Sequence, residues 1–168
     1  MAINDALLPE FDHETGVTRR LLERVPDKEF AWKPHEKSYS LGELATHVAN
    51  LPTFAGYILG APDLDIATIP RSAWGTVPAS TAELVARFDK NVKEARAALA
   101  SKTDAEYMAL WTLKKGGQTI FTMPKIAAMR GFLMNHSIHH RGQLSVYLRL
   151  RNVPLPAMYG PTADEGAF

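Results

Sequence analysis

The sequence predicts an all-α fold, a four-helix bundle with a short β-hairpin just before the last helix. Three observations carry this. Four long stretches space their apolar residues at helical period. Two of them open on capping signals, Ser40-Leu41-Gly42-Glu43 and Ser80-Thr81-Ala82-Glu83, where the serine can accept the glutamate amide and the glutamate can reach back. Only the stretch from Thr103 to Met123 breaks the period. With 168 residues and 46% hydrophobic content the chain reads as one domain, residues 1–168, large enough for a sizeable core.

The first helix runs from Ile3 or Pro9 to Glu23 or Arg24, with Leu7, Phe11, Thr18, Leu21, Leu22 and Val25 facing inward. Proline lacks an amide hydrogen and belongs in a first turn, so Pro9 is a candidate start. Pro26-Asp27 ends the helix, and residues 26–40 connect to the next, with Trp32 covering the bundle end.

The second helix starts at the Ser40 cap and reaches about Leu59. Its inner stripe is Leu44, Val48, Leu51, Ala55, Ile58 and Leu59, and Pro52 predicts a kink one turn after His47. Gly60 to Pro78 reads as a long surface loop bordering a site, with Trp74 as a local anchor or a lid.

The third helix extends from the Ser80 cap to about Ala100, with Leu84, Val85, Phe88, Val92, Ala95 and Leu99 inside. Tyr107 to Leu113 and Gln118 to Met123, joined by Lys115-Gly116-Gly117, form the hairpin. The last helix spans Pro124 to about Arg151, stopped by Asn152 and Pro154. The tail from Pro154 to Phe168 is loop returning over the bundle.

The chemistry concentrates in Asn135-His136-Ser137-Ile138-His139-His140-Arg141-Gly142-Gln143, which holds three of the six histidines. On a 3.6-residue period His136 and His140 fall on the stripe of Ile126, Met129, Leu133, Leu144, Tyr147 and Leu148, while His139 points away. Each neutral imidazole carries a donor and an acceptor, so two on an apolar face need partners. Two explanations stay open at this point. A transition metal can take one nitrogen from each ring of an i,i+4 pair; alternatively both are core histidines bonded to serine, tyrosine or backbone groups. His47, at the edge of the second helix's stripe, is the candidate third ligand, since bundle sites draw ligands from facing helices. His13 reads as a solvated or rim histidine.

Gln143 is either a group orienting a ligand ring or a surface amide. Arg141, Arg149 and Arg151 either attract an anionic substrate or complement the helix dipole. Gly142 suits close packing against a neighbour, and Tyr159 could reach the site from the tail. No carboxylate on the histidine stripe stands out as a general base, which weighs against a hydrolase.

Composition removes other classes. Lys and Arg total 19 against 18 Asp and Glu, so there is no electrostatic footprint for nucleic acid. The lack of cysteine excludes disulfides and a thiol nucleophile and fits a reducing cytoplasm. The start lacks a signal-peptide pattern, and no apolar run approaches the ~18 residues of a membrane span.

Several stretches resemble the DinB / YfiT-like superfamily over most of the chain. They are Trp32 to Ser38, Leu41 to Ala49, His136 to Leu144, and the ending Pro156-Ala157-Met158-Tyr159-Gly160-Pro161. The resemblance implies a bundle in up-down-down-up order and a metal triad of His47, His136 and His140. Three imidazoles leave coordination positions open, as in catalytic rather than structural sites. Zinc or nickel is expected first, with iron, manganese or cobalt behind, since nitrogen ligands alone do not choose. The resemblance further implies a thiol S-transferase acting on a small molecule with bacillithiol, mycothiol or glutathione, in a chain that pairs as a homodimer. The alternative it leaves is a non-catalytic metal-binding stress-response protein.

Overall fold

Helix α1 (Ile3–Leu22) starts six residues before its proline, not at it. Contacts from elsewhere hold that first turn: the Ile3 backbone amide donates to Asp104 and the Asn4 side-chain amide to the Lys102 carbonyl, while Asp5 accepts from the Ala2 amide. These offset the bond that Pro9 cannot make. The computed structural model describes residues 2–166.

The second helical stretch divides, as its proline requires, into α2 (Leu41–Asn50), one 3₁₀ turn (Leu51–Thr53) and α3 (Phe54–Gly60). Pro52 has no N–H to offer the Val48 carbonyl, which takes the Leu51 amide instead and tightens the turn. The Ser40 and Glu43 cap is reciprocal, at 3.1 and 2.6 Å. Helix α4 (Thr81–Ala100) has only half of its expected box, because the Glu83 carboxylate accepts from Ala79 rather than Ser80.

The stretch read as plain loop contributes β1 (Asp63–Asp65). A short helix α5 (Asp104–Met108) precedes β2 (Leu110–Lys115) and β3 (Gln118–Pro124), which form the expected hairpin. Strand β1 lies parallel to β2 with Asp63 opposite Thr112, giving the sheet order β1-β2-β3. Asp65 locks the arrangement by accepting from the Gly116 and Gly117 amides at 2.9 and 2.6 Å. Both glycines have positive φ, the backbone that a two-residue hairpin turn demands. The fold is therefore mainly helical with a three-stranded sheet, not all-α with a two-stranded hairpin. Three residues are too few to display an alternating pattern, so β1 depends on its partner strand.

The last helical stretch is not continuous either. Helix α6 (Lys125–Met129) passes through a π-helical segment, Arg130–Asn135, into α7 (His136–Leu150). Ala128, Met134 and Arg141 are buried alongside Leu133, Leu144 and Leu148, whereas Tyr147 is only partly so.

Helices α1 and α2 each pack against both α4 and α7. The buried apolar residues form two clusters. One, near the sheet, contains Leu7, Phe11, Leu51, Leu99, Trp111 and Leu133; the other contains Leu21, Leu44, Val48, Phe88, Leu144 and Leu148. Along α1, α4 and α7 the residues between the clusters include Glu14, Thr18, Asn91, His136, His140 and Arg141. A polar layer thus crosses the core.

Arg141 is the largest charge in that layer, only 1% exposed. Its guanidinium donates to the Glu14 carboxylate (2.6 Å), the Glu14 carbonyl (3.0 Å) and the Thr18 hydroxyl (3.2 Å), and also bonds the Tyr159 hydroxyl. The sequence alternatives for this arginine are thereby replaced by a buried clasp joining α1, α7 and the tail. Arg149 and Arg151 pair with Asp164 and Glu29. With Arg20 donating to the Ala157 carbonyl, the Arg149–Asp164 pair brings the tail back over α1 and α7 as expected.

Removing one partner of a buried pair strands the other charge. Arg141→Met should lower stability by about 3–5 kcal/mol, read as a drop in urea midpoint. Arg149→Met, at an exposed pair, should cost at most about 1 kcal/mol.

Candidate metal centre

Three side chains arrive from two helical elements. His47 sits one turn before the end of α2, and His136 and His140 are one turn apart at the start of α7. Their Nε2 atoms converge: His136 to His140 is 2.8 Å and His136 to His47 is 3.4 Å. The ligand atoms of all three lie within 4.8 Å of one another, and all three residues are partly buried. His13 and His35 are exposed and stand apart from this group; His139 is exposed and packs its ring against that of His140, centroids 4.8 Å apart, without joining the ligand set.

The far nitrogen of one ring shows which end carries hydrogen. Gln143 uses its Nε2 on His139 (3.1 Å) and turns its Oε1 to His140 Nδ1 (2.7 Å). An amide oxygen only accepts, so His140 carries hydrogen on Nδ1 and a lone pair on Nε2. The His136 Nε2, 2.8 Å from that lone pair, either donates a hydrogen to it or shares a cation with it.

A second proton on any of these rings is disfavoured. Burial, then the His140 and His136 charges, push the His47 pKa down to about 4. Burial likewise lowers His136, with His140 adding to it against the Phe132 carbonyl. Burial lowers His140 too, opposed by Gln143. Three neutral, inward-facing imidazoles are a donor set that could hold a divalent transition metal.

Two clefts flank the cluster. A solvent-open cleft of about 530 Å³ has His140 and Gln143 on one wall and Lys37 and Tyr39 on the other. A smaller one of about 160 Å³ is bordered by His47, Thr46, Glu43 and Trp74. Tyr39 borders both. The Trp74 ring lies 5.9 Å from Phe54, and the Trp74 carbonyl accepts from Asn50, so this tryptophan anchors its loop beside the site.

Sequence reasoning missed Glu43 and Thr46 as neighbours. Glu43 is committed to the Ser40 amide and Lys33, which hold its carboxyl below the usual range. Thr46 has a buried hydroxyl without a hydrogen-bond partner among the described residues. Gln143 bonds His140 as one of its two sequence readings required, whereas Tyr159 bonds Glu14 and Arg141 in the clasp.

A mainly helical fold that gathers three histidines beside an open cleft defines the class, and the chain belongs to the DinB superfamily, whose model matches residues 10–144. It is 24% identical over 163 residues to the uncharacterized protein YrdA of Bacillus subtilis (strain 168), covering 97% of this chain and 92% of that one. Two crystal structures share the fold. A DinB-like protein from Bacillus cereus ATCC 10987 has a TM-score of 0.72 and 23% identity, over 94% of this chain and 98% of that chain. The DinB-like protein YjoA from Bacillus subtilis has a TM-score of 0.67 and 21% identity, over 96% and 98%.

The depressed His47 pKa has a measurable consequence in metal-free protein. The unfolded chain takes up this proton from pH 6.5 downward, the folded chain only near pH 4. The contribution is fully present above pH 6.5 and declines as pH falls through that window. NMR titration should place His47 near pH 4, and the urea midpoint should fall between pH 7 and 4.5, less steeply in His47→Gln. A flat midpoint over that range would contradict the assignment.

Proposed function

We propose that the chain binds one divalent transition metal through His47, His136 and His140 and works as a metal-dependent enzyme, an S-transferase for low-molecular-weight thiols. The observation that carries the metal is the convergence of three Nε2 atoms, with His136 2.8 Å from His140 and 3.4 Å from His47. The observation that favours catalysis over passive binding is the open cleft of about 530 Å³ with His140 in its wall, a volume within the usual range of ligand sites. Zinc or nickel is the first expectation, with iron, manganese or cobalt next.

When bound, such a metal supplies Lewis acidity, which lowers the pKa of a coordinated thiol and sharpens it as a nucleophile. The chain's own residues do the rest. Gln143 fixes the tautomer and orientation of His140. Tyr39, between the two clefts with its ring 6.1 Å from that of His47, presents a hydroxyl to whatever enters. Glu43 is tied into its cap and is not free as a base, which fits group transfer better than hydrolysis.

The reading extends to cellular context. It takes bacillithiol, mycothiol or glutathione as the thiol, a small electrophile as co-substrate, the cytoplasm as location and a homodimer of up-down-down-up bundles as the working form. No helix among the described residues is long and apolar enough to cross a membrane.

Elemental analysis of protein purified without added metal tests the first claim. Near-stoichiometric metal is expected in the parent and little in His47→Ala; a parent that neither carries nor takes up metal would refute it. Gln143→Leu should weaken metal affinity by about 10- to 100-fold, measured by competition with a chromophoric chelator. A panel of thiols and electrophiles on loaded protein tests turnover, which His136→Ala should abolish.

A further inference from the structure

The large cleft has a chemical character of its own. The connection between α1 and α2 supplies Lys37, Ser38 and Tyr39; α7 supplies His140, Val146 and Tyr147 opposite. Among the described residues its lining includes no carboxylate, and Lys37 is its one side chain charged at neutral pH.

The nearby cations are already engaged. Lys33 pairs with Glu43 at 3.6 Å, Arg151 with Glu29 at 2.8 Å, and Arg141 with Glu14 at 2.6 Å. Lys37 makes no ion pair among the described residues. Its backbone is nevertheless held. The Lys37 amide donates to the His35 ring at 3.2 Å, and the Ser38 amide to the His35 carbonyl at 3.0 Å. Trp32, at the base of this turn, packs edge-on against Tyr147 with centroids 5.7 Å apart, and Arg151 stacks over it at 5.3 Å. A tethered turn therefore offers one uncompensated ammonium to a cleft whose far wall carries an apolar patch, Val146 and the Tyr147 ring, beside Gln143 and His140.

We propose that this cleft binds a small amphipathic anion and that Lys37 is the specificity-determining residue that reads its anionic group. Carboxylate and phosphate share the required chemistry. The inference rests on the three-histidine site being where the substrate reacts, and it adds the substrate class. The apolar wall takes the uncharged part of the molecule, and His140 marks the end at which its reactive group must lie.

Calorimetric titration of the zinc-loaded full chain tests this with glutathione and glutathione diethyl ester, which keep the same thiol and differ in their carboxylates. Glutathione should bind more tightly than the ester, and the difference should shrink as salt rises. Lys37→Met should weaken glutathione by about two- to fivefold, what one exposed ion pair is worth, and leave the ester unchanged. Lys37→Arg should restore the preference. Inorganic phosphate as competitor separates the sources: displacement of glutathione by low phosphate assigns a phosphorylated substrate, and lack of displacement assigns a carboxylate.

Equal affinity for acid and ester in the parent, or equal loss of both in Lys37→Met, overturns the proposal, as does absence of binding by both glutathione and phosphate. Metal content, measured on each variant, should be unchanged by Lys37 substitution. Repeating the titrations on metal-free protein keeps the two readings separate. If the three-histidine site fails to hold metal, the acid-over-ester preference still persists there when Lys37 reads the anion, and vanishes when it does not.

Discussion

The structure is organised by one electrostatic constraint: imidazole nitrogens that converge inside a protein must share hydrogen bonds or a cation. His136 and His140 bring their Nε2 atoms to 2.8 Å, and Gln143 fixes the His140 ring from its other nitrogen. His47 closes the group from the facing helix. Burial disfavours the charged form of all three rings. The elements around the cluster hold the three rings in that close approach.

That service is distributed. The π-helical segment, Arg130–Asn135, leads directly into His136 at the start of α7. The Pro52 turn ends α2 just past His47. The Arg141 clasp, one residue after His140, fixes the opposite face of α7 to Glu14 and Thr18 on α1. Two apolar clusters, one on each side of this polar layer, provide the burial that offsets its desolvation. Stability and site geometry therefore share residues, and Arg141 belongs to both only through its neighbour.

The clefts follow from the same packing. The connection between α1 and α2 is pinned by Trp32 against Tyr147, which leaves space between its tip and α7. Trp74 and Phe54 close the other side more tightly. The cluster consequently has a wide approach from His140 and a narrow one from His47. This asymmetry gives an incoming molecule a direction.

Local signals were sufficient wherever the physics is local. Capping serines, the Gly116-Gly117 turn, the inner stripes of α1, α2 and α4, and the i,i+4 spacing of His136 and His140 could all be read from the order of residues. So could the candidacy of His47, by its place on a facing helix. What tertiary structure alone decided is what depends on distant partners. Strand β1 exists because β2 lies beside it. The turn before Pro9 exists because Asp104 and Lys102 hold it. Arg141 is a buried clasp because Glu14, Thr18 and Tyr159 from other parts of the chain meet it. No spacing rule reports which distant groups a side chain meets, or that two imidazoles end 2.8 Å apart.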